Sequence, residues 1–366
     1  MKKIYALLTG LCLAGMVHAQ TDVVDDIMNA EKPKREYTAY TFKSTSIICG
    51  KSIEMTKKNA LDFRVIHRFG NIADKNAGHT LAGFYSISDV MFTFDYGITE
   101  DLSVGTGFAK GAGPVQELYN VNLKYRLLKQ TKDFKIPFTI TLFGNAAVSG
   151  MKLDPFTSMP WKYTTTDTTT HVTTSYGSAA HRFSYTLQAL IACKATDWLS
   201  IQLSPTFVWR NYVGPGQVSN LGQDKNGMFF LGLSARAKLT KRQAIVFEYF
   251  LPITMKNATY REYFPMLRGN MNANYYPCLN LGYEVETGGH VFTITLTNTG
   301  GLMENDFLPY TNSNWAKGQF RLGFTISRIF QFGNKQVNPW TGKEKKAKAD
   351  GSKPEKKSKK GEIKLN

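Results

Sequence analysis

Charged side chains recur at alternate positions in segments whose other positions are apolar. In Tyr119–Leu127, Lys124 and Arg126 share one side with two asparagines, while tyrosine, valine and leucine occupy the other side. Successive side chains of a strand point to opposite faces, so these charges would lie on one face of a sheet. If that face lines a closed barrel, an excess of arginine and lysine concentrates anions, as basic rings do in anion pores.

Nine bases and four acids occupy such polar faces when the strands are taken one by one. With Lys43, the candidates for lining the interior are Asp62, Arg64, Arg68, Asp95, Lys124, Arg126, Arg182, Arg236, Lys238, Glu248, Glu284 and Arg321. A competing interpretation is that these acids and bases pair across the interior and close it. Barrels of ~8 strands have filled interiors and those of 16–18 leave a channel, and a barrel of about twelve strands, the size that this chain could form, lies between them, so both interpretations stand.

Catalytic and metal-binding motifs are missing from the sequence. No GxSxG, HExxH, P-loop or EF-hand pattern occurs, and His67 and His181 are best interpreted as polar residues near strand ends. The odd number of cysteines in the mature chain, Cys49, Cys193 and Cys278, does not suit a disulfide framework. The sequence therefore predicts that the protein is not an enzyme and needs no cofactor or metal.

The dominant hydrophobic period from about residue 39 is two, which predicts strands rather than helices. Thirteen candidate strands lie near 39–49, 59–68, 90–98, 101–109, 117–127, 135–148, 180–192, 197–210, 227–239, 242–250, 276–285, 289–298 and 319–332. Single-chain bacterial barrels have an even strand number. The candidate at 39–49 has little apolar face, so we expect twelve strands, or fourteen if one hides in 69–89 or 252–275.

Three features favour a transmembrane barrel over a soluble sandwich. Short and long connections alternate along the chain, and many strands have the ~9–11 residues needed to cross hydrocarbon with tilt. Aromatic residues gather near strand ends, as in interfacial girdles. The fold class predicted is therefore an all-β, antiparallel transmembrane barrel over residues 39–332, with short turns in the periplasm.

The two ends of the chain predict export and a basic appendage. Residues 1–19 carry Lys2 and Lys3, an apolar run and a small-residue exit at Ala19, which is the pattern of a cleaved signal peptide. Residues 20–38 would be a periplasmic segment. Residues 333–366 hold eleven lysines against four acids, so they account for +7 of the net charge of +17 and should be disordered.

Four stretches resemble an uncharacterised outer-membrane β-barrel family of Gram-negative bacteria, a domain of unknown function. They are Thr41–Met55 (TFKSTSIICGKSIEM), Leu61–Gly70 (LDFRVIHRFG), Tyr96–Gly107 (YGITEDLSVGTG) and Leu123–Gln130 (LKYRLLKQ). The resemblance implies a barrel in the outer membrane. It implies no reaction, ligand or functional residue.

The expected function is a porin-like channel or transporter for small solutes, with anions preferred. The alternative is a structural or assembly barrel that anchors a periplasmic partner through its basic tail. The expected partners are outer-membrane lipid, small anionic solutes, and a periplasmic protein or cell-wall polymer in contact with Lys343–Lys360. Nucleic acid is excluded by the compartment.

Overall fold

Strands form most of the described chain. The computed structural model describes residues 35–73, 78–86, 89–111, 117–150, 162–166, 169–170, 173–177, 179–211, 226–253 and 275–332. The predicted signal peptide and the basic tail lie outside these residues. Within them, no helix is long and apolar enough to cross a membrane.

Twelve strands close into one antiparallel barrel in which sequential strands are neighbours. The wall strands are β1 (Ala60–Asn71), β2 (Asp89–Gly97), β3 (Leu102–Lys110), β4 (Glu117–Leu128), β5 (Thr139–Ser149), β8 (Phe183–Lys194), β9 (Leu199–Arg210), β10 (Gly227–Lys238), β11 (Gln243–Pro252), β12 (Cys278–Thr287), β13 (His290–Thr297) and β14 (Arg321–Gln331). Between β5 and β8, β6 (Lys162–Thr166) and β7 (Thr173–Gly177) form a separate two-stranded sheet. A short helix, α1 (Glu304–Tyr310), lies between β13 and β14.

The barrel closes where its first strand meets its last. Strand β1 pairs with β14 from Ala60 opposite Gln331 to Asn71 opposite Arg321. Closure gives every strand two hydrogen-bonded neighbours, which a sheet in hydrocarbon requires because lipid offers its backbone no partner. The prediction of a twelve-stranded antiparallel barrel is confirmed.

The alternation of the sequence gives the wall an apolar outside and a polar inside. On β9, Leu203 is 43% exposed on the outer face, whereas its neighbour Gln202 is 1% exposed and points inward. The same alternation of exposed and buried positions runs through the other wall strands, among them β4 and β11. This arrangement is the reverse of a soluble barrel and suits a wall surrounded by lipid.

The candidate strand at 39–49 is not part of the wall. The wall begins at Ala60, and residues 41–56 lie inside the barrel, where Ile48 and Ser52 are 3% and 0% exposed. Their sequence has no continuous apolar face because both sides of the segment contact protein rather than lipid. The sequence analysis left 39–49 out because bacterial barrels have an even number of strands, and that choice is correct.

Four of the five connections at one end of the barrel are turns of two to four residues, whereas all those at the other end have six residues or more. The short-turn end carries the connections 98–101, 129–138, 195–198, 239–242 and 288–289. The opposite end, called the long-loop end here, includes the connection that contains α1. The two ends of the barrel therefore differ in the length of their connections.

Replacing Leu203 with arginine should destabilise the barrel by about 2–4 kcal/mol, because the charge would face lipid near the middle of β9. The measurement is urea-dependent folding into vesicles, followed by the heat-modifiable gel migration of the folded barrel. The control is Leu239→Arg, since Leu239 is 56% exposed in the turn between β10 and β11. Equal losses in both variants would contradict the assignment of the outer face.

Candidate functional site: a filled lumen

Residues 41–56, called the lumen hairpin here, enter the barrel from its short-turn end. Before them, Thr38 N donates to Gln130 O at 2.8 Å, beside the turn between β4 and β5. Inside, the chain reverses direction: Ile47 N donates to Gly50 O at 2.9 Å, and Ser52 N donates to Thr45 O at 3.0 Å. The chain then returns to the short-turn end and begins β1. Both limbs of the hairpin therefore pass through the same opening.

One carboxylate of the wall holds the tip of the lumen hairpin. The amides of Ile48, Cys49 and Gly50 donate to Glu248 of β11, with the nearest oxygens at 3.1, 2.8 and 3.1 Å. Asn280 of β12 donates a fourth, longer hydrogen bond of 3.4 Å. The Glu248 side chain is fully buried, and leaving a buried donor without its acceptor costs about 1–3 kcal/mol.

Gly50 is required at the tip because the wall approaches it closely. A Cβ atom at this position would lie 2.8 Å from the ring of Phe250 and 3.2 Å from the Glu248 carboxylate. Both groups are buried, so neither has free space in which to retreat. Any larger residue would therefore push the tip away from its carboxylate.

The flanks of the lumen hairpin are bonded to several strands around the barrel. On β9, the Gln202 amide accepts from Ile53 N at 2.9 Å and donates to Lys51 O at 2.8 Å. On β4, Lys124 donates to Glu54 O at 2.5 Å. On β1, Arg64 donates to the Ser44 hydroxyl at 2.8 Å. The hairpin is thus fastened on opposite sides of the wall.

Apolar side chains of the lumen hairpin build a hydrophobic core within the lumen. Phe42, Ile47, Ile48 and Ile53 are 2–6% exposed and belong to one cluster with inward residues of the wall. Burying such a side chain contributes ~1.5–3 kcal/mol, so the four together contribute on the order of 10 kcal/mol. The hairpin is therefore packed into the barrel as well as hydrogen-bonded to it.

A second insert, called the lumen loop here (residues 299–311, including α1), enters from the long-loop end. Asn305 accepts from Asn145 at 2.7 Å and from Thr186 at 3.1 Å, which fastens α1 to β5 and β8. The ring of Phe307 packs edge-on against Phe250, with centroids 5.4 Å apart. The lumen loop thus adds to the core that the lumen hairpin begins.

The two inserts meet at Arg68 of β1. Its guanidinium donates to Cys49 Sγ of the lumen hairpin at 2.8 Å and to Thr299 Oγ1 of the lumen loop at 2.5 Å, and it also bonds Gly301 O. Arg68 is 1% exposed. One cation therefore joins segments that enter from opposite ends of the barrel.

Most of the predicted lumen charges are buried, and several are paired. Arg64 lies 2.9 Å from Asp62, and Arg236 donates through Nε and Nη2 to Glu284 at 2.9 and 2.7 Å. Predicted residues in buried positions are Asp62, Arg64, Arg68, Asp95, Lys124, Arg236, Glu248 and Glu284. Lys43, on the hairpin, pairs with Glu286 at 2.7 Å. The competing interpretation, pairing of acids and bases, describes this interior better than a ring of free cations.

Four predicted residues lie nearer the ends of the barrel. Arg126 forms an ion pair with Asp101 at the short-turn end. Lys238 lies at the same end and is exposed. Arg182 precedes β8 in a short 3-10 turn and donates to a backbone carbonyl at 3.0 Å. Arg321 pairs with Asp89 at 3.4 Å at the long-loop end. These four side chains therefore lie near the rims of the barrel rather than deep in the lumen, and Arg182 precedes its strand instead of belonging to it.

Sequence reasoning missed the neutral partners of the two inserts. Gln202 and Asn305 carry no charge, yet they anchor the lumen hairpin and the lumen loop. The available signal was in residues 41–56, which break the alternation of the surrounding strands and carry Gly50 at the point where the chain reverses, after the apolar run Ile47–Cys49.

A cavity of about 170 Å³ opens at the short-turn end, between the lumen hairpin and the turns after β8 and β10. Its lining includes Tyr40, Thr41, Trp198 and several lysines. Burial, followed by the nearby Glu54 carboxylate, raises the pKa of Tyr40 above its usual value of 10.0. The phenol is therefore protonated at neutral pH and keeps its hydroxyl hydrogen.

The described residues offer neither a metal site nor a disulfide. Nowhere in the described ranges do three or more His, Cys, Asp or Glu residues cluster so that they could hold a metal ion. Cys49 and Cys278 are buried as free thiols, and Cys193 is a partly buried free thiol. The chemistry of the interior is thus hydrogen bonding, ion pairing and apolar packing.

Fold and interior together define a membrane β-barrel with a filled lumen. Residues 42–330 match the family described as a membrane-bound beta barrel domain (DUF5777), and the chain belongs to that family. The family resemblance noted in the sequence is thereby confirmed. The matched region begins 18 residues before the first wall strand and includes the lumen hairpin from residue 42 onward.

Similar solved structures are outer-membrane barrels. The NanC porin aligns with 8% identity and a TM-score of 0.42, over 75% of this chain and 100% of that one. The COG4313 outer membrane channel from Pseudomonas putida F1 aligns with 11% identity and a TM-score of 0.40, over 76% and 98%. Outer membrane phospholipase A from Escherichia coli aligns with 10% identity and a TM-score of 0.35, over 73% and 92%. No curated protein sequence matches the chain.

Replacing Glu248 with alanine should release the tip of the lumen hairpin, because three buried amides would lose their acceptor at ~1–3 kcal/mol each. Hydrogen exchange at residues 47–53 should accelerate at least tenfold while the wall strands keep their protection. The control is Glu117→Ala, which removes a carboxylate paired with exposed Lys110. Unchanged exchange at 47–53 in Glu248→Ala would contradict the anchoring role.

Proposed function

We propose that the protein is an outer-membrane barrel that is closed at rest and acts as a membrane anchor, holding its flanking segments at the periplasmic face. Of the two functions expected from the sequence, this proposal adopts the structural or assembly barrel rather than the porin-like channel. The predicted signal peptide, residues 1–19, supports export to the outer membrane. The observation that carries the proposal is the filled lumen.

The energy of packing argues against spontaneous opening. Removing the lumen hairpin would expose apolar surface whose burial contributes ~10 kcal/mol. It would also leave the Glu248 side chain and the Gln202 amide without their backbone partners, a further cost that opposes the conformational entropy the released segment would regain. The packed hairpin is therefore the expected resting state.

The short-turn end is the face that an anchor would present to the periplasm. Barrels of this class place short turns there and longer loops outside. Both ends of the wall, at Ala60 and Gln331, lie at this end, so the segments before and after the wall leave from it. The lysine-rich stretch Lys343–Lys360 would then reach a periplasmic protein or an anionic cell-wall polymer.

A gated transporter is the second candidate, and the polarity of the inner wall favours it. Inward positions of β4, β5 and β13 carry asparagine and threonine: Asn120, Asn122, Thr139, Thr141, Thr293, Thr295 and Thr297. Water could solvate these groups if the lumen hairpin withdrew through the short-turn end. In that case a partner or an energy source would have to drive the withdrawal, and small anionic solutes remain the expected cargo.

The expectation that the protein is not an enzyme is kept in this proposal. His67 lies on the outer face, with its ring 4.6 Å from Phe69 and 5.2 Å from Phe324. His290 lies beside Phe292 near the short-turn end. Neither imidazole faces a nucleophile among the described residues, which supports a role in the lipid interface.

A disulfide at the tip of the lumen hairpin separates the two candidates, because withdrawal must break the contacts of the tip. Cys49 Sγ lies 3.8 Å from Thr299 Oγ1 of the lumen loop, so Thr299→Cys places a second thiol beside Cys49. In a Cys193→Ser/Cys278→Ser background, Thr299→Cys should leave vesicles sealed to small anions both oxidised and reduced. The unstapled background protein, treated in the same way, is the control.

Planar-bilayer recordings of the wild-type protein should accordingly show no single-channel steps. Steps in the wild type, or solute flux that appears on reduction of the staple and stops on oxidation, would overturn the closed anchor in favour of a gated transporter.

A further inference from the structure

The cavity at the short-turn end has an excess of positive charge. Its lining contains the cations Lys43, Lys194, Arg236, Lys238 and Lys241 and the single carboxylate of Asp197. Lys43 and Arg236 are neutralised by Glu286 and Glu284. The other three lysines form no ion pair with a described residue, so the lining carries three lysines without an acidic partner and one carboxylate.

These three lysines come from two neighbouring parts of the wall. Lys194 ends β8, Lys238 ends β10, and Lys241 lies in the turn before β11. Like charges held on rigid strand ends repel one another, and an anion placed between them removes that repulsion. Because the site opens at the mouth of the barrel, such an anion can enter from solution without any movement of the lumen hairpin.

We propose that this cavity is a binding site for a small phosphate-bearing anion. Ammonium groups bind phosphate as point charges, and the hydroxyls of Thr41 and Ser200 in the lining supply hydrogen bonds. A liquid water molecule occupies ~30 Å³, so a cavity of about 170 Å³ accommodates one tetrahedral anion with some water.

An anion in this cavity would contact both the lumen hairpin and the wall. Thr41 and Lys43 belong to the entering limb of the hairpin, whereas Lys194 and Lys238 belong to the wall. Bound phosphate would therefore fasten the hairpin at its entrance, as Glu248 does at its tip. The binding site stands independently of the choice between anchor and gated transporter, since both proposals share the resting state in which the lumen hairpin lines this cavity.

Titration of inorganic phosphate into the full-length protein in maltoside micelles, followed by calorimetry at low ionic strength, tests the site. Saturable binding of one phosphate per chain is expected. Each of Lys194→Ala, Lys238→Ala and Lys241→Ala should weaken it by up to about fivefold, as for a partly exposed ion pair, and the triple variant by more than tenfold. The control is Lys135→Ala, an exposed lysine at the same end of the barrel.

Tryptophan fluorescence provides a second readout that locates the bound anion. Trp198 lines the cavity, so a phosphate-dependent change in emission should vanish in Trp198→Phe. The proposal would be overturned by the absence of saturable binding or by equal weakening in Lys135→Ala. It would also be overturned if Trp198→Phe kept the phosphate-dependent change in emission.

Two sources of the phosphate group are distinguished by competition. Free glycerol 3-phosphate should displace inorganic phosphate if the natural ligand is a dissolved solute. If the natural ligand is a lipid headgroup, nanodiscs that contain phosphatidylglycerol should displace inorganic phosphate. Nanodiscs of phosphatidylcholine alone are the comparison. Either result supports the site and names its source, whereas displacement by neither probe contradicts a phosphate-ester ligand.

Discussion

Every backbone amide and carbonyl of the wall must find a partner within the protein, because hydrocarbon supplies none. The pairing of β1 with β14 meets this requirement by closing the sheet. Closure in turn dictates the alternation, since one face of each strand meets lipid and the other encloses a space. That enclosed space is lined by serine, threonine, asparagine, glutamine and charged residues, and it must be filled by water or by protein.

This barrel fills the space with protein from both ends. The lumen hairpin brings its own backbone amides, which would be costly to bury unpaired, and Glu248 and Gln202 accept from them. Its isoleucines meet inward apolar residues of the wall, so the lumen contains a small hydrophobic core of its own. Polar groups of the inner wall thus pair with polar groups of the segment inside it. The family domain, which begins at residue 42, includes that segment.

Periodicity was a strong predictor wherever a strand separates lipid from the interior. Twelve segments with this pattern are wall strands, and the boundaries of β4 and β9 differ from expectation by one or two residues. Residues 41–56 have no such pattern because protein surrounds them on both sides. Their place could not be read from spacing alone, since the bonds of Cys49 to Glu248 and of Ile53 to Gln202 span 199 and 149 residues.

By itself, the sequence determined the wall: the number of strands, their faces, the alternation of short and long connections, and the charges that avoid lipid. These follow from local patterns because a side chain faces lipid or the interior according to its position within one strand. Only the tertiary structure decided that the lumen is filled, that Arg64 and Arg236 are neutralised, and that three lysines converge at the short-turn end. Such outcomes depend on which distant residues meet in the interior, and closure of the barrel alone brings them together.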